Sequence, residues 1–301
     1  MKESGAEDLK VKLGKAGYIC DDATAMSVFL ALKLNKPLLL EGPAGVGKTE
    51  VAKMMASVLD TELIRLQCYE GLDASHAIYE WNYQQQLLFL KKLEIEKSER
   101  QKIKDEELFS EKFLLKRPLF QAISREKSPV LLIDELDRAD EEFESYLLEI
   151  LSDWQITIPE TGTIKARSIP FVVVTGNRTR ELSEALRRRC LYLWIDYPSF
   201  EKEVQIIRSR LPHIDDQLAA TITIFMQELR KEDLNKVPGV AESIDWAMAL
   251  SEMHFEHLDK SLIENTLGVI LKDWEDIRNT QLSLSELMER VGIKSKIDEV
   301  L

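Results

Sequence analysis

The sequence has no long hydrophobic run, which narrows the classes of protein it can belong to. No stretch of about 18 consecutive apolar residues occurs in its 301 residues, so we expect no transmembrane helix. The first ten residues, MKESGAEDLK, are charged and have no apolar centre, so we expect no secretory signal peptide. Together these absences favour a cytoplasmic protein without membrane insertion.

Cysteines are also scarce, and basic residues are outnumbered by acidic ones. Cys20, Cys68 and Cys190 are far apart and form no CxxC motif, which fits a reducing compartment better than a disulfide framework or a zinc site. The 40 Lys and Arg residues against 53 Asp and Glu residues give a formal net charge of −13. Because proteins that bind a phosphate backbone usually carry a basic face, we expect no nucleic-acid partner.

What the sequence does contain predicts an α/β core followed by a helical region. Residues 130–133 and 171–174 are short apolar runs, as in strands covered on both faces of a parallel sheet. Further strand candidates are residues 38–40, 62–67 and 191–195. After Pro198 the pattern is helical almost to the end, so the predicted domains are residues 1–198 and residues 199–301.

Two insertions interrupt this pattern in the predicted core. Residues from about 79 to 119 include the charge-rich stretch 91–107, which is typical of a solvated, partly helical excursion. Residues from about 154 to 170 alternate polar and apolar side chains around the segment ETGT, which predicts a β-hairpin.

A glycine-rich segment between a strand and a helix predicts a phosphate-binding loop. The segment GPAGVGKT satisfies GxxxxGK[ST] in the strand-to-helix context that the motif requires. Its small residues let backbone N–H groups converge on phosphate oxygens, and we expect Lys48 to reach the β- and γ-phosphates and the Thr49 hydroxyl to ligate Mg²⁺. The predicted nucleotide-binding residues here are Gly42, Pro43, Ala44, Gly45, Val46, Gly47, Lys48, Thr49 and Glu50.

An acidic pair follows the apolar run 130–133. If this strand lies beside the strand that precedes the phosphate loop, Asp134 and Glu135 face the same ligand, because ligands bind at the carboxyl ends of parallel strands. Asp134 can then hold Mg²⁺ through its waters, and Glu135 can polarise the attacking water. The pair is what distinguishes hydrolysis of ATP from binding alone.

Two further positions are candidates for catalysis. Asn177 follows the strand candidate 171–174 and could orient the water or touch the γ-phosphate, although a loop asparagine is ordinarily a turn residue. Three consecutive arginines end a predicted helix just before Cys190. They either complement the helix dipole or include an arginine finger that reaches the γ-phosphate bound by a neighbouring subunit.

The ordered set of motifs resembles a known family. GPAGVGKT, LLIDELDRAD and VVVTGNRTRELSEALRRRC, with the hairpin between the last two, resemble the MoxR-like branch of AAA+ ATPases. RLQCYEGLD, YEWNYQQQLL and VPGVAESIDWAMAL look like the subgroup associated with maturation of carbon monoxide dehydrogenase. The resemblance covers roughly residues 18–250.

The resemblance implies a fold and an assembly. It implies an αβα core with a parallel five-stranded sheet of order 5-1-4-3-2, a C-terminal all-α lid, and a hexameric ring that binds ATP at its subunit interfaces. Relatives of this type typically partner a protein with a von Willebrand factor A domain and act as chaperones in metal-cofactor insertion or complex activation.

The resemblance also implies roles for individual residues. Asn177 matches the first sensor, Arg189 matches the finger with Arg188 as the second choice, and Tyr18 and Ile19 fall where adenine-side contacts lie. The chain departs from the family pattern in two ways. Ser243 occupies the place of the second-sensor arginine, and the insertion at about 79–119 is longer and more charged than usual, which suggests a partner-binding role.

Two other functions stay open from the sequence alone. One is a nucleic-acid-associated motor of the same ATPase class, against which the acidic balance speaks. The other is a nucleotide-gated binding module with little hydrolysis, against which Glu135 speaks.

Overall fold

The computed structural model describes residues 5–96, 108–253, 255 and 258–293. Its α-helices are α1 (Ala6–Lys15), α2 (Asp22–Leu34), α3 (Lys48–Val58), α4 (Ala74–Ala77), α5 (Tyr83–Glu96), α6 (Pro118–Ser124), α7 (Glu141–Asp153), α8 (Glu184–Arg187), α9 (Phe200–Arg210), α10 (Asp216–Leu229), α11 (Val240–Glu252), α12 (Lys260–Ile270) and α13 (Trp274–Val291). Its strands are β1 (Leu38–Glu41), β2 (Leu63–Gln67), β3 (Tyr79–Trp81), β4 (Leu114–Lys116), β5 (Val130–Asp134), β6 (Gln155–Ile158), β7 (Gly162–Lys165), β8 (Phe171–Gly176) and β9 (Leu191–Trp194).

The described chain forms two compact units. The first contains the described parts of residues 1–10, 22–41 and 51–193, and the second contains residues 11–21, 42–50 and the described part of residues 194–301. None of the described helices is both long enough and apolar enough to cross a membrane.

A five-stranded sheet organises the first unit. Its order is β2-β5-β8-β1-β9, and β2 with β5, β5 with β8 and β8 with β1 pair in parallel. Numbered among themselves, these five strands read 2-3-4-1-5, which is the predicted order 5-1-4-3-2 seen from the other edge. The predicted α/β class is confirmed.

Burial explains why the central strands are so apolar. Every residue of β5 and β8 is buried, as in a parallel sheet covered on both faces. β2, at the edge, instead alternates buried residues with exposed ones, so Arg65 and Gln67 share its exposed face. That alternation places two polar side chains next to β5.

The register of the sheet brings several strand ends to one edge. Gln67 pairs with Asp134, Glu41 pairs with Gly176, and the Cys68 N–H donates to the Asp134 carbonyl oxygen at 2.9 Å. Because ligands of parallel α/β sheets bind at the carboxyl ends of the strands, this edge is where a functional site is expected.

Two small antiparallel sheets lie in the predicted insertions. β3 pairs with β4, with α5 between them in the chain, and β6 pairs with β7 through Ile156 and Ile164 within the segment where a hairpin is predicted. Residues 97–107, most of the predicted charged excursion, lie outside the described residues.

The second unit packs helices α9 to α13 around their own apolar core. Phe225 and Trp246 are buried with ring centroids 5.1 Å apart, and the Trp246 indole N–H donates to the Thr266 hydroxyl at 2.9 Å. Asp215, Asp259 and Asp273 accept backbone N–H bonds at the starts of α10, α12 and α13. The glycine-rich loop 42–50 belongs to this unit.

Candidate functional site

The glycine-rich loop owes its glycines to close backbone approaches within the second unit. Gly42 and Gly45 have φ angles of 156° and 74°. A Cβ on Gly42 would lie 1.9 Å from the Ile195 carbonyl oxygen, and a Cβ on Gly45 would lie 2.9 Å from Gly239 Cα. Larger residues at either position would force the loop away from these neighbours.

Lys48 is held across the loop that precedes it. This residue begins α3 and is buried, and its Nζ donates to the carbonyl oxygens of Gly42 at 2.8 Å and Pro43 at 2.6 Å. Thr49 and Glu50 follow it in the first turn of α3 and are half-buried, and the Glu50 carboxylate pairs with Arg210 at 2.5 Å. The two hydrogen bonds to carbonyl oxygens thus orient the Lys48 ammonium group toward the loop interior.

The start of α11 contacts the same loop. The Val240 N–H donates to the Gly45 carbonyl oxygen at 3.0 Å, and Gly239 lies so close that a Cβ on it would be 2.6 Å from Gly45 Cα. The Glu242 carboxylate caps α11 by accepting the Gly239 N–H at 2.8 Å. No sequence motif predicted this contact between the loop and α11.

A buried arginine stabilises that contact from behind. Arg230 pairs with Glu203 through two hydrogen bonds of 2.7 Å each, and it donates to the carbonyl oxygens of Pro238 and Gly239. It also donates to the Ser243 hydroxyl at 2.9 Å. Ser243 occupies the place where relatives are expected to have a second-sensor arginine. A guanidinium is present there, but it belongs to Arg230, the residue directly after α10, and it is bound by the Glu203 carboxylate.

Tyr18 and Ile19, the predicted adenine-side residues, follow α1 in the second unit. Both are half-buried, and the Tyr18 N–H donates to the Leu13 carbonyl oxygen at 2.9 Å. Burial, together with neighbouring Cys20 and acidic groups, raises the pKa of the Tyr18 phenol, which stays neutral. Their contact with adenine stays a prediction.

The acidic pair lies at the carboxyl edge of the first unit's sheet. Asp134 is buried and ends β5, and its Oδ1 accepts the Thr175 hydroxyl at 2.6 Å. The same hydroxyl accepts the Glu135 N–H at 2.9 Å. Glu135 has a left-handed backbone, with φ 53°, and this turns its side chain away from the strand direction. Thr175 was not predicted as a site residue.

Two side chains of β2 hold these carboxylates, and neither was predicted as a site residue. Arg65 donates to Asp134 Oδ2 from Nε at 3.1 Å and from Nη2 at 2.6 Å. Gln67 Nε2 donates to Glu135 Oε2 at 3.0 Å, and Arg138 Nη1 donates to the same oxygen at 3.0 Å. The signal that could have found them is their spacing of two residues on a strand whose alternate residues are apolar.

Asn177 is positioned by another acid of the same segment. Asp137 is buried, and its Oδ2 accepts the Asn177 N–H at 2.9 Å, the Thr179 N–H at 2.8 Å and the Thr179 hydroxyl at 2.8 Å. These hydrogen bonds hold the backbone of residues 177–179 in place directly after β8. They therefore fix the position of the Asn177 Cα at the carboxyl edge of the sheet.

The predicted finger arginines lie at the end of α8. Arg189 donates to the Ser152 hydroxyl and to the Ala185 carbonyl oxygen, and Arg188 pairs with Glu184. Both are exposed. Next to them, burial raises the pKa of the Cys190 thiol to about 12 against the opposing effect of Arg189, so this cysteine is a protonated packing residue.

The residues present fit Mg²⁺ as the implied ion. The described residues contain no group of three or more His, Cys, Asp or Glu side chains that could hold a metal by themselves. Mg²⁺ at phosphate sites needs only one or two carboxylates, because substrate phosphates and waters supply the remaining ligands. Asp134 offers such a buried carboxylate in the first unit, and Thr49 offers a half-buried hydroxyl residue in the second unit.

Comparison with known proteins identifies the family. Residues 37–190 match the model of the AAA domain, dynein-related subfamily. An uncharacterized protein of Staphylococcus haemolyticus is 27% identical over 224 residues, with 72% of this chain and 77% of that protein covered. One from Staphylococcus epidermidis is 25% identical over 277 residues, with 89% and 94% covered.

Among solved structures, a RuvB mutant of Thermotoga maritima has 19% sequence identity and a TM-score of 0.48, with 96% of this chain and 83% of that chain covered. Half of the chain lies in the segment matched by the family model, and this half includes the acidic pair, the glycine-rich loop, β1 and α3. The chain belongs to the AAA domain family, in its dynein-related subfamily.

Proposed function

We propose that this protein binds ATP with Mg²⁺ and hydrolyses it, and that the loop 42–50 and the pair Asp134–Glu135 act on the same nucleotide. The observation that carries the proposal is the placement of Glu135. Its carboxylate is held by Gln67 and Arg138 at the carboxyl edge of the sheet. β1, which the glycine-rich loop follows in the chain, ends at the same edge, and β8 lies between β5 and β1.

Each group has a distinct task in this reaction. Lys48 and the loop N–H groups bind the phosphates, and Thr49 with Asp134 would hold the Mg²⁺. When bound, Mg²⁺ neutralises charge on the phosphate oxygens. Glu135 accepts a proton from the attacking water or orients it, and Asn177 provides a neutral amide beside the γ-phosphate.

A ring of identical subunits completes the proposed site. Arg189, with Arg188 as the alternative, would reach the γ-phosphate bound by a neighbouring subunit, which requires breaking its hydrogen bond to Ser152. Mixing Arg189→Ala with Lys48→Ala subunits should restore part of the turnover. Where the intact loop of an Arg189→Ala subunit faces the intact finger of a Lys48→Ala subunit, the interface contains both groups. Failure to restore turnover at any mixing ratio would refute action in trans.

For the biological role we propose a MoxR-type chaperone in the cytoplasm. Nucleotide-dependent motion of the helical unit would remodel a partner complex, with a von Willebrand factor A domain protein as adaptor and metalloenzyme maturation as the process. The support is the sequence resemblance of RLQCYEGLD and VPGVAESIDWAMAL. Co-purification of such an adaptor in ATP but not in ADP would support this role, whereas ATP turnover stimulated by DNA would favour a nucleic-acid motor instead.

The proposed reaction is tested by comparing ATP binding with ATP turnover. Glu135→Gln should retain ATP while its turnover falls by about 100-fold or more, because the general base is lost and the phosphate contacts remain. Glu142→Gln, an exposed acid in the first turn of α7, is the matched control and should turn over ATP like the wild type. If Glu135→Gln keeps wild-type turnover, the catalytic assignment is wrong. If the wild type binds ATP but scarcely hydrolyses it, the chain is a nucleotide-gated binding module.

A further inference from the structure

Arg65 occupies the carboxylate that the proposed magnesium site needs. Its Nε and Nη2 both donate to Asp134 Oδ2, at 3.1 and 2.6 Å, while the Thr175 hydroxyl donates to Oδ1 at 2.6 Å. Both oxygens of Asp134 are therefore engaged by protein groups. Arg65 has no role in the proposed binding and hydrolysis of ATP.

The burial of Asp134 explains why a cation is needed there. The Asp134 side chain is only 4% exposed, and a buried carboxylate without a compensating charge is strongly destabilising. A guanidinium that approaches with two N–H groups is well suited to compensate it. Arg65 thus supplies to Asp134 what a divalent cation would supply.

The Arg65 and Asp134 side chains differ in their freedom to move. The Arg65 side chain is 51% exposed, and within the described part of the chain its Nη2 also donates to the Gln67 side chain at 2.5 Å. The guanidinium can move toward solvent without leaving an uncompensated buried charge, provided that another cation takes its place at Asp134.

We propose that Arg65 is the resident counter-cation of Asp134 in the metal-free protein and that it leaves the carboxylate when Mg²⁺ enters with the nucleotide. This rests on the proposed function, because it takes Asp134 to be a magnesium residue. Arg65 and Mg²⁺ compete for one acceptor, so Arg65 lowers the apparent affinity for Mg²⁺. Because of this competition, the charge of the Asp134 carboxylate is always compensated by one of the two cations. Mg²⁺ binding is weakened when no nucleotide phosphate is present to supply further ligands.

The quantity to measure is the dependence of nucleotide binding on magnesium. The dissociation constant of fluorescent mant-ADP is determined in EDTA and in excess Mg²⁺. The ratio of the constant in EDTA to the constant in Mg²⁺ reports the coupling between metal and nucleotide. In Arg65→Gln this ratio should rise by about threefold to tenfold, the range expected for removal of a half-exposed, charge-assisted competitor. Arg65→Lys keeps the charge but loses the two-pronged contact, so it should give a rise of about twofold.

A matched control separates this effect from the general loss of a positive charge. Arg125 makes the same kind of contact with Glu62, at 2.5 and 3.1 Å, and is likewise half-exposed in the first unit. Arg125→Gln should leave the ratio unchanged, because its partner Glu62 precedes β2 at the end opposite Gln67 and Asp134. Five strand residues span about 16 Å, and exposed charges that far apart are screened.

Three results would overturn the proposal. They are an unchanged or lowered ratio in Arg65→Gln, an equal rise in Arg125→Gln, and, should Arg65→Gln fold poorly, a wild-type ratio in Arg65→Lys. Failure of the proposed function is recognisable separately, because the wild type would then show no binding of nucleotide or no effect of Mg²⁺ on it, whatever the variants do.

Discussion

Replacing Gly239 with alanine tests the contact between the glycine-rich loop and α11. Gly239 has φ −88° and ψ −169°, which alanine adopts without strain, so the new methyl group is opposed by its nearest neighbours in the loop and not by its own backbone. The Cβ would lie 2.6 Å from Gly45 Cα, 2.8 Å from Gly45 C and 2.9 Å from the Ala44 carbonyl oxygen. Carbon atoms in ordinary contact are about 3.5 to 4.0 Å apart, so loop and helix must separate by about 1 Å.

That separation has a predictable cost. The hydrogen bond from the Val240 N–H to the Gly45 carbonyl oxygen, now 3.0 Å, would lengthen beyond the range of useful bonds, which removes about 1 kcal/mol. Overpacking adds about 1 to 3 kcal/mol, and the lower entropy of the unfolded alanine chain returns about 0.4 to 1 kcal/mol. We expect Gly239→Ala to lower the free energy of unfolding by about 1 to 3.5 kcal/mol and to weaken nucleotide binding by about tenfold.

The assay is urea denaturation together with mant-ADP titration, with Gly268→Ala as the control. Gly268 is exposed within α12 and a Cβ there meets no atom within 4 Å, so this variant should gain about 0.5 to 1 kcal/mol of stability and bind nucleotide normally. If Gly239→Ala is as stable as the wild type and binds nucleotide with equal affinity, the contact has no role in shaping the loop.

Three further predictions concern buried groups. Arg230→Met should lower the free energy of unfolding by about 3 to 5 kcal/mol in urea denaturation, because it leaves Glu203 buried without its charge partner, and wild-type stability would contradict this. Asp137→Ala should lower ATP turnover more than ATP affinity, because the N–H of Asn177 loses the acceptor that positions it; equal losses in both would argue against a positioning role. Burial raises the pKa of Cys190 from 9.0 to about 12, so its proton is kept in the folded protein and lost on unfolding above about pH 9. Stability should therefore fall between about pH 9 and 12, by up to 1.4 kcal/mol per pH unit for this thiol, and Cys190→Ala should reduce that slope in denaturation at pH 8 to 10.

The strand-to-helix position of the segment GPAGVGKT and the strand-end position of the acidic pair could be predicted from the sequence, because each is a local pattern. GPAGVGKT needs only its own residues and the strand before it, and the position of Asp134 follows from the end of an apolar run. The strand order was predicted from the resemblance and is confirmed, since motif order along the chain identifies the strands.

The partners of these groups could not be predicted, because they depend on register between segments far apart in sequence. Arg65 reaches Asp134 only because β2 pairs with β5 so that Gln67 is opposite Asp134. Arg230 reaches Ser243 only because α10 and α11 pack together, and Gly239 looks from the sequence like an ordinary residue before a helix. Period-two spacing of polar residues on β2 was the one available signal.

A structure of Glu135→Gln with ATP and Mg²⁺, determined by crystallography or electron cryo-microscopy, tests the shared nucleotide most directly. The account predicts one ATP whose phosphates contact Lys48 Nζ and the loop N–H groups, with Asp134 and the residue at 135 within direct or one-water reach of the γ-phosphate and its metal. An ATP bound by the loop while both side chains lie outside that reach would contradict it.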